Sequence, residues 1–308
     1  MNEPQRPLTI SPQPQHPEAV SLGRDGPGAR SEFRPVHLHT VQGAGGVELC
    51  VAEAGNPEGP AVLFVHGFCQ SHQAWQRQLQ SALGLDFRLV ALDLRGHGRS
   101  GKPVDGYVDG RVWADDLHAV ITTLRLKRPV LVGWSYGGVV VIDYLRHYGQ
   151  ENVAGVHFVG ALSRVGKPEF FADFAPDFLQ LIPGLLSPEV GESQGAIAAF
   201  TSMLFHTAQA PAVQDEVRGY NQQVPHPARL GVGQRVEDGQ DVLRALKLPV
   251  LVTHGMEDRV VLPESSRQIA SLVKHAQLSR YPEVGHSPFW EDTARFNQEL
   301  ARFVARCR

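Results

Sequence analysis

The chain has 308 residues, of which 42% are hydrophobic and 20% charged, and its formal net charge is −3. This length and composition are those of a globular protein that buries a substantial core, and the small net charge argues against binding to nucleic acid or to a charged membrane surface. No run of about 18 apolar residues marks a membrane span, and three cysteines at positions 50, 69 and 307 without C-x-x-C spacing predict free thiols in a reducing compartment rather than a metal site.

The first 32 residues differ from the rest of the chain. They carry proline at positions 4, 7, 12, 14, 17 and 27, and they contain no apolar run of the kind found in secretory signals. We therefore expect a disordered tail over 1–32 and a cytoplasmic protein. From residue 33 onward, strand-like and helix-like segments alternate, which predicts an α/β fold with a mainly parallel sheet and helices on both faces.

The opening strands lead to the first candidate loop. Val36–Thr40 alternates in polarity and is predicted to pair with Val47–Ala54 as a hairpin. The next strand, Val62–Val65, is apolar throughout and runs into His66-Gly67-Phe68. We interpret His66 as a packed or hydrogen-bonded turn residue, and Cys69 as a small buried side chain.

The next strand ends at an aspartate. Arg88–Leu92 predicts the strand, Asp93 follows it, and Val108–Leu124 has the apolar stripe of a helix. Because Asp93 ends a strand, it is a candidate acid. It precedes the candidate nucleophile described below, however, and together with Arg95 it is better interpreted as part of a loop that shapes the floor of the site.

The most informative segment is Val130–Gly138, in which apolar strand residues run into a Gly-x-Ser-x-Gly turn centred on Ser135. A helix-like segment follows at Val139–His147, so the pattern is that of a nucleophile elbow. A serine in so sharp a turn occupies a strained backbone region, and glycines nearby permit the close approach of neighbouring chain. Asp143, inside the following helix, is expected to face solvent or to cap a neighbour.

Between Leu162 and about Val242 the alternation of strand and helix stops. The interval is rich in large apolar residues, and an unstructured loop of that length is unusual in a compact domain. We expect a helical cap over 163–242 whose side chains partly pack together and partly line an apolar pocket. The α/β core would then comprise 33–162 and 243–308.

The last strands supply an acid and a base. Pro249–Val252 leads through His254 to Asp258, and Leu278–Tyr281 leads to His286. His254 is interpreted as structural, as His66 is. The chain order Ser135, Asp258, His286 is that of a serine triad on an α/β scaffold, with the carboxylate orienting the imidazole and the imidazole acting as base. Two late helices are predicted over Pro263–Val273 and Asp292–Val304.

The same arrangement predicts an oxyanion hole. One backbone N–H comes from the loop after an early strand and the other from the residue after the nucleophile, which here are Phe68 and Tyr136. Only their amides, and not their side chains, would take part in the chemistry.

These motifs resemble those of the α/β-hydrolase superfamily, and the resemblance covers nearly everything from Phe33 to the end of the chain. It rests on His66-Gly-Phe68, Asp93-Leu-Arg-Gly-His-Gly-Arg-Ser100, the elbow around Ser135, Gly255-Met-Glu-Asp258 and Gly285-His286. The serine esterase and cofactor-free haloperoxidase branch is the most similar. Epoxide hydrolases and haloalkane dehalogenases share the layout but place aspartate at the elbow, where this chain has serine.

The resemblance implies an eight-stranded, mostly parallel sheet and a carboxylic ester hydrolase that acts through an acyl-enzyme on a small to medium apolar acyl or aryl ester. Lactone hydrolysis, perhydrolysis and carbon–carbon bond hydrolysis on the same triad stay open, and so does a small-molecule sensor on a hydrolase scaffold. No metal, nucleotide or organic cofactor is implied, and the expected partner is a small-molecule substrate. The oligomeric state and the natural substrate are not indicated.

Overall fold

The computed structural model describes residues 35–307, so the tail predicted over 1–32 lies outside the described residues. The strands are β1 (His37–Gln42), β2 (Glu48–Gly55), β3 (Ala61–Val65), β4 (Arg88–Leu92), β5 (Val130–Trp134), β6 (Gly155–Val159), β7 (Arg164–Val165), β8 (Glu237–Asp238), β9 (Val250–Gly255) and β10 (Gln277–Tyr281).

The α-helices alternate with the strands and also fill the long interval between β7 and β8. They are α1 (Gln76–Leu79), α2 (Leu83–Asp86), α3 (Gly110–Thr123), α4 (Gly137–Tyr148), α5 (Pro176–Leu185), α6 (Val190–Met203), α7 (Pro211–Gln222), α8 (His226–Gly233), α9 (Gln240–Ala245), α10 (Pro263–Leu272), α11 (Pro288–Glu291) and α12 (Thr293–Arg306). Among residues 35–307, no helix combines the length and the apolar character needed to cross a bilayer.

Eight strands form one sheet in the order β1-β2-β4-β3-β5-β6-β9-β10, which confirms the predicted fold class. Strand β2 runs antiparallel to β1 and β4, and the pairs from β4 through β10 are all parallel. Strands β3, β5, β6 and β9 are buried along their whole length. Apolar residues on both faces are what a parallel sheet covered by helices on both sides requires.

The core side chains explain why the helices lie where they do. Phe296, Leu300 and Phe303 of α12 are buried, as the predicted apolar face requires.

Helix α3 begins two residues later than the predicted Val108, because the Asp109 side chain accepts the N–H of Arg111 at 2.8 Å and caps the helix there.

Because parallel strands end at the same edge of a sheet, the loops after β3, β4, β5, β9 and β10 gather there. Those loops carry every residue that the sequence proposes for the chemistry. Helices α5–α8 belong to a segment whose two ends are joined by β7 and β8, with Arg164 opposite Asp238 and Val165 opposite Glu237.

Candidate active site

Ser135 lies at the end of β5 with φ +55°, in the left-handed region where residues other than glycine are strained. Its backbone is fixed on both sides: its N–H donates to Val159 O at 3.0 Å, and its carbonyl accepts from the N–H groups of Gly138 and Leu162. A Cβ on Gly67 would lie 2.8 Å from Ser135 Cβ, so only glycine fits beside this turn. The strained turn is therefore held by its neighbours, as a nucleophile elbow requires.

Asp258 and His286 are brought together from loops after different strands. Their side chains are buried, and His286 Nδ1 lies 2.7 Å from Asp258 Oδ2. The other oxygen, Oδ1, accepts the N–H groups of Val260 at 2.8 Å and Val261 at 3.0 Å. Oδ1 thus holds the loop, and Oδ2 faces the imidazole.

A second imidazole contacts the same carboxylate. His254 Nε2 lies 3.1 Å from Asp258 Oδ2 and 2.9 Å from Val261 O, and its Nδ1 is paired with the Ser266 hydroxyl. Because both neighbours of Nε2 are acceptors, we assign the proton of neutral His254 to Nε2. The interpretation of His254 as simply structural missed this contact with the acid.

The surroundings of Asp258 hold it in the ionised form. Burial by itself would raise the pKa of this carboxyl, but the nearby His286 and the hydrogen bonds from His254 and His286 more than offset that effect. The pKa of Asp258 therefore lies well below its usual range. A carboxylate that stays charged can orient the imidazole and stabilise it once it is protonated.

Trp134 ties the histidine loop to the elbow. This residue precedes Ser135 on β5, and its Nε1–H donates to the His286 carbonyl at 2.8 Å, with the two rings 5.4 Å apart. Within residues 35–307, the hydrogen bonds do not include one from Ser135 Oγ to the imidazole. Such bonds are often long in substrate-free enzymes and tighten when substrate binds.

The two amides proposed for the oxyanion hole are free to bind a ligand. In the part of the chain that the structure describes, neither the N–H of Phe68 nor that of Tyr136 donates to a protein acceptor. Tyr136 is the N-cap residue of α4, where unpaired N–H groups and the helix dipole both favour a negative charge.

Ser135 opens into an apolar cavity that encloses about 890 Å³ of empty space, including its mouth. Phe68 and Tyr136 line it beside the serine, and much of the remaining lining comes from the segment between β7 and β8. Its large apolar members include Phe171, Phe174, Phe178, Ile182, Leu186 and Phe200. Phe170, in contrast, is buried and packs below the guanidinium of Arg164.

Asp93, the other candidate acid, has a different partner. Its Oδ1 accepts the backbone N–H of His72 at 2.6 Å and lies 2.9 Å from His72 Nδ1, and its Oδ2 accepts the N–H of Arg99 at 2.8 Å. Oδ1 therefore holds the segment that follows β3, and Oδ2 holds the loop that follows β4. This agrees with the interpretation of the Asp93 turn as loop architecture.

Cys50, His72 and Asp93 form the one group of possible metal ligands found among the described residues, with donor atoms within 4.8 Å of one another. Burial, and secondarily the Asp93 carboxylate, raise the pKa of the Cys50 thiol to about 11. Both Asp93 oxygens already accept backbone N–H groups, which occupies the carboxylate that a metal would need. These three residues are poorly suited to hold a metal ion.

The residues interpreted as structural are buried where the sequence placed them. His66 has no exposed surface; its Nε2 accepts the N–H of Leu94 at 3.0 Å, and its Nδ1 is 2.8 Å from Gly67 O. Cys69 is also fully buried, with φ +59°.

The prediction that Asp143 faces solvent or caps a neighbour is wrong. Its side chain is buried inside the fold, and its Oδ1 accepts a hydrogen bond from Arg235 at 2.8 Å. Arg235 follows α8, far from Asp143 in sequence, and no local pattern in the sequence indicates this contact.

Comparisons with known proteins agree with this architecture. The family model described as "alpha/beta hydrolase fold" matches residues 60–293 of the chain. The chain belongs to the α/β-hydrolase family. The resemblance stated from the motifs is thereby confirmed.

Relatives of this α/β-hydrolase include esterases and haloperoxidases. The structure of esterase RhEst1 from Rhodococcus sp. ECU1013 superposes with a TM-score of 0.82 at 32% identity, covering 88% of this chain and 99% of that one. A bifunctional esterase/perhydrolase of Acinetobacter calcoaceticus is 29% identical over 84% of this chain and 96% of its own. A non-heme chloroperoxidase of Kitasatospora aureofaciens is also 29% identical, with coverages of 84% and 96%.

Proposed function

We propose that this α/β-hydrolase is a serine carboxylic ester hydrolase in which Ser135 is the nucleophile, His286 the general base and Asp258 the group that orients the imidazole. The observation that carries the proposal is the 2.7 Å contact of His286 Nδ1 with Asp258 Oδ2, on a loop tied by Trp134 to the strained serine. The names of its relatives, which include esterases, support the class of carboxylic ester hydrolase.

Acylation begins with attack of Ser135 Oγ on the ester carbonyl. His286 takes the hydroxyl proton, and Asp258 stabilises the imidazolium that results. The carbonyl oxygen becomes an oxyanion, which the amides of Phe68 and Tyr136 bind. Collapse of the tetrahedral intermediate breaks the bond to the alkoxy oxygen, and His286 gives the proton to the departing alcohol.

Deacylation repeats the sequence with water. His286 removes a proton from a water molecule as it attacks the acyl-enzyme carbonyl, and the same two amides bind the second oxyanion. The carbonyl–Oγ bond then breaks, and Ser135 recovers the proton from His286. Every step uses groups of this chain and water alone.

We propose further that 163–242 forms a cap over the site and supplies the acyl pocket. The lining is almost wholly apolar, which favours an ester with a small to medium apolar acyl or aryl group over a charged one. The half-exposed Phe171 also lines the cavity, so we expect it to lie near the mouth.

The test is hydrolysis of p-nitrophenyl esters from acetate to dodecanoate by the wild type and by Ser135→Ala. We expect the variant to keep its fold and to lose roughly 10³–10⁶-fold in kcat, as removal of a triad member does elsewhere. Full activity in the folded variant would contradict the assignment of the nucleophile. The length of the acyl group at which kcat/KM falls measures the size of the pocket.

Perhydrolysis is a second candidate, because one relative is named an esterase/perhydrolase and another a chloroperoxidase. In that reaction hydrogen peroxide replaces water in attacking the acyl-enzyme and the product is a peroxycarboxylic acid. The partition between peroxyacid and acid at a fixed peroxide concentration separates the two functions. Formation of acid alone would leave only the esterase.

A further inference from the structure

One cation lies inside the otherwise apolar cavity. Arg235 follows α8, its side chain is 1% exposed, and it is the only charged residue among the described residues that line the cavity. An arginine is rarely buried without a specific set of partners. Its contacts therefore indicate what the guanidinium does there.

The guanidinium bridges two residues around the nucleophile elbow. Its Nη1 donates to the Tyr136 hydroxyl at 2.7 Å, and its Nη2 donates to Asp143 Oδ1 at 2.8 Å. It also lies 5.8 Å from the centre of the Trp113 ring, against which the Tyr136 ring packs edge to face at 5.5 Å. The phenol of Tyr136 is thus held at its oxygen by a cation and along its ring by an aromatic neighbour.

Tyr136 is also the residue whose amide would bind the oxyanion. It directly follows Ser135, whose φ is +55°, and its own backbone has φ −55° and ψ −28°. The direction of its N–H depends on the torsions on either side of that peptide. A side chain anchored at its far end restricts those torsions, and a donor aimed at a developing charge loses much of its effect when it is misdirected.

We infer that Arg235 is a positioning residue: through the Tyr136 phenol it fixes the direction of the proposed oxyanion amide. This role rests on the proposed function. Because Arg235 belongs to the segment that joins α8 to β8, its contact with Tyr136 also couples the helices that line the cavity to the elbow. Asp143 holds the guanidinium in place from α4. Arg235 Nε and Asp143 Oδ2 have no partner among the described residues, so the contact orients the guanidinium without satisfying every polar atom.

The decisive variant is Tyr136→Phe, which removes the hydroxyl and keeps both the amide and the ring against Trp113. We expect kcat for p-nitrophenyl esters to fall about tenfold, a part of the roughly 10²–10³-fold lost when an oxyanion donor is removed altogether. KM should stay within about twofold, and the factor should be the same for acetate and hexanoate. An alkyl boronic acid, which forms a tetrahedral adduct with a serine nucleophile, should bind more weakly by a similar factor.

Tyr107→Phe is the matched control. Its ring packs near the same Trp113, its hydroxyl donates to Pro103 O at 2.7 Å, and it does not line the cavity. Loss of that buried phenol hydrogen bond should leave kcat unchanged. An equal loss of kcat in both variants would show a general loosening of the aromatic cluster and would overturn the role of Arg235.

The role of Arg235 itself is tested in a background where no unpaired charge is left buried. The double variant Arg235→Met/Asp143→Asn should lower kcat about as much as Tyr136→Phe, and adding Tyr136→Phe to it should cause no further loss. Arg235→Lys, which keeps one donor, should lie between. Additive losses, or a loss that depends on acyl length, would mean that the phenol contacts the substrate directly and would overturn the inference.

Reaction of Ser135 with a fluorophosphonate separates this inference from the proposed function. If the wild type reacts and hydrolyses esters while Tyr136→Phe keeps its kcat, the positioning role fails and the esterase stands. If the folded wild type neither reacts at Ser135 nor hydrolyses any ester of the series, both fail together.

Discussion

Two buried aspartates in this fold each have a histidine close by, and the surroundings of the two carboxylates differ. Asp93 lies 2.9 Å from His72 Nδ1, and Asp258 lies 2.7 Å from His286 Nδ1. Both carboxylates follow strands of the same sheet at the same edge. A short distance between aspartate and histidine therefore does not identify a triad.

The difference lies in what else each carboxylate binds. Both oxygens of Asp93 accept backbone N–H groups, so the imidazole of His72 faces an oxygen that already accepts the backbone N–H of the same residue. Asp258 uses Oδ1 for the backbone and leaves Oδ2 to imidazoles. The loop of His286 is in turn bonded to Trp134, the residue before Ser135. In the proposed triad, the orienting acid needs an oxygen that accepts no backbone N–H and a histidine that is anchored beside Ser135.

The largest test of this contrast is Asp258→Asn. The asparagine can still accept backbone N–H groups, but its amide favours the wrong tautomer of His286, so kcat should fall by about 10⁴-fold. Steady-state hydrolysis by enzyme titrated for folded protein measures the loss. Should Asp93→Asn cost more in kcat than Asp258→Asn, the acid has been assigned to the wrong region.

Asp93→Asn should act on stability instead. The substitution replaces one carboxylate oxygen by an NH2 group, which cannot accept the backbone N–H that it faces. We therefore expect the free energy of unfolding to drop by about 2–4 kcal/mol. The kcat of the folded enzyme should stay within about tenfold of the wild type. Urea denaturation with parallel kinetics checks both, and an unchanged stability would show that the loop does not depend on this carboxylate.

A fall in pH should remove the contributions of the buried histidines and of Asp258 over different pH intervals. Near Asp93, burial lowers the pKa of His66 to about 4 and, together with His66, the pKa of His97 to about 3. The unfolded state binds more protons than the folded state below the usual value of 6.5, so stability is lost as pH falls from about 6.5 toward 4. Over that interval, each imidazole lowers the free energy of unfolding by up to about 1.4 kcal/mol for each pH unit of acidification. Asp258, whose pKa is lowered, keeps its contribution until pH falls below its usual value of 3.8.

Thermal unfolding from pH 8 to 3 measures this dependence, and His97→Gln is the matched variant. Burial also lowers the pKa of His157 to about 3, so removing one of these three imidazoles should reduce the slope between pH 6.5 and 4 without moving the decline below pH 4. A wild type whose stability is flat over that interval would show that the buried histidines do not have the lowered pKa values on which this prediction depends.

Periodicity and turn chemistry predict much of the fold, because those signals are local. The runs that give β3, β4 and β5 and the strained turn at Ser135 are readable from adjacent residues. Contacts between distant segments are not. Asp143 is predicted to face solvent or to cap a neighbour because nothing near it in sequence indicates Arg235, and a helix of mostly buried residues has no polar face to mark its exposed side.

Some missed features did leave a signal. Asp109 before Gly110 has the pattern of a helix N-cap, and this pattern indicates the observed start of α3. His254 stands four residues before Asp258 on a strand that ends in a turn, a spacing that brings the two side chains together only if the turn folds back. The cap proposed over 163–242 stays a prediction.

The pairing of β7 with β8 has a consequence for how such a segment can change. Arg164 faces Asp238 in a two-stranded ladder that is separate from the main sheet, so the stretch between them begins and ends at the same point. Inserting, lengthening or exchanging the stretch between them adds little loop-closure entropy, because that cost grows only slowly with the number of residues. A chimera that joins at 165 and 237 would exchange much of the cavity lining together with Arg235, so it must carry an arginine at that place to keep the contact with Tyr136 of the elbow.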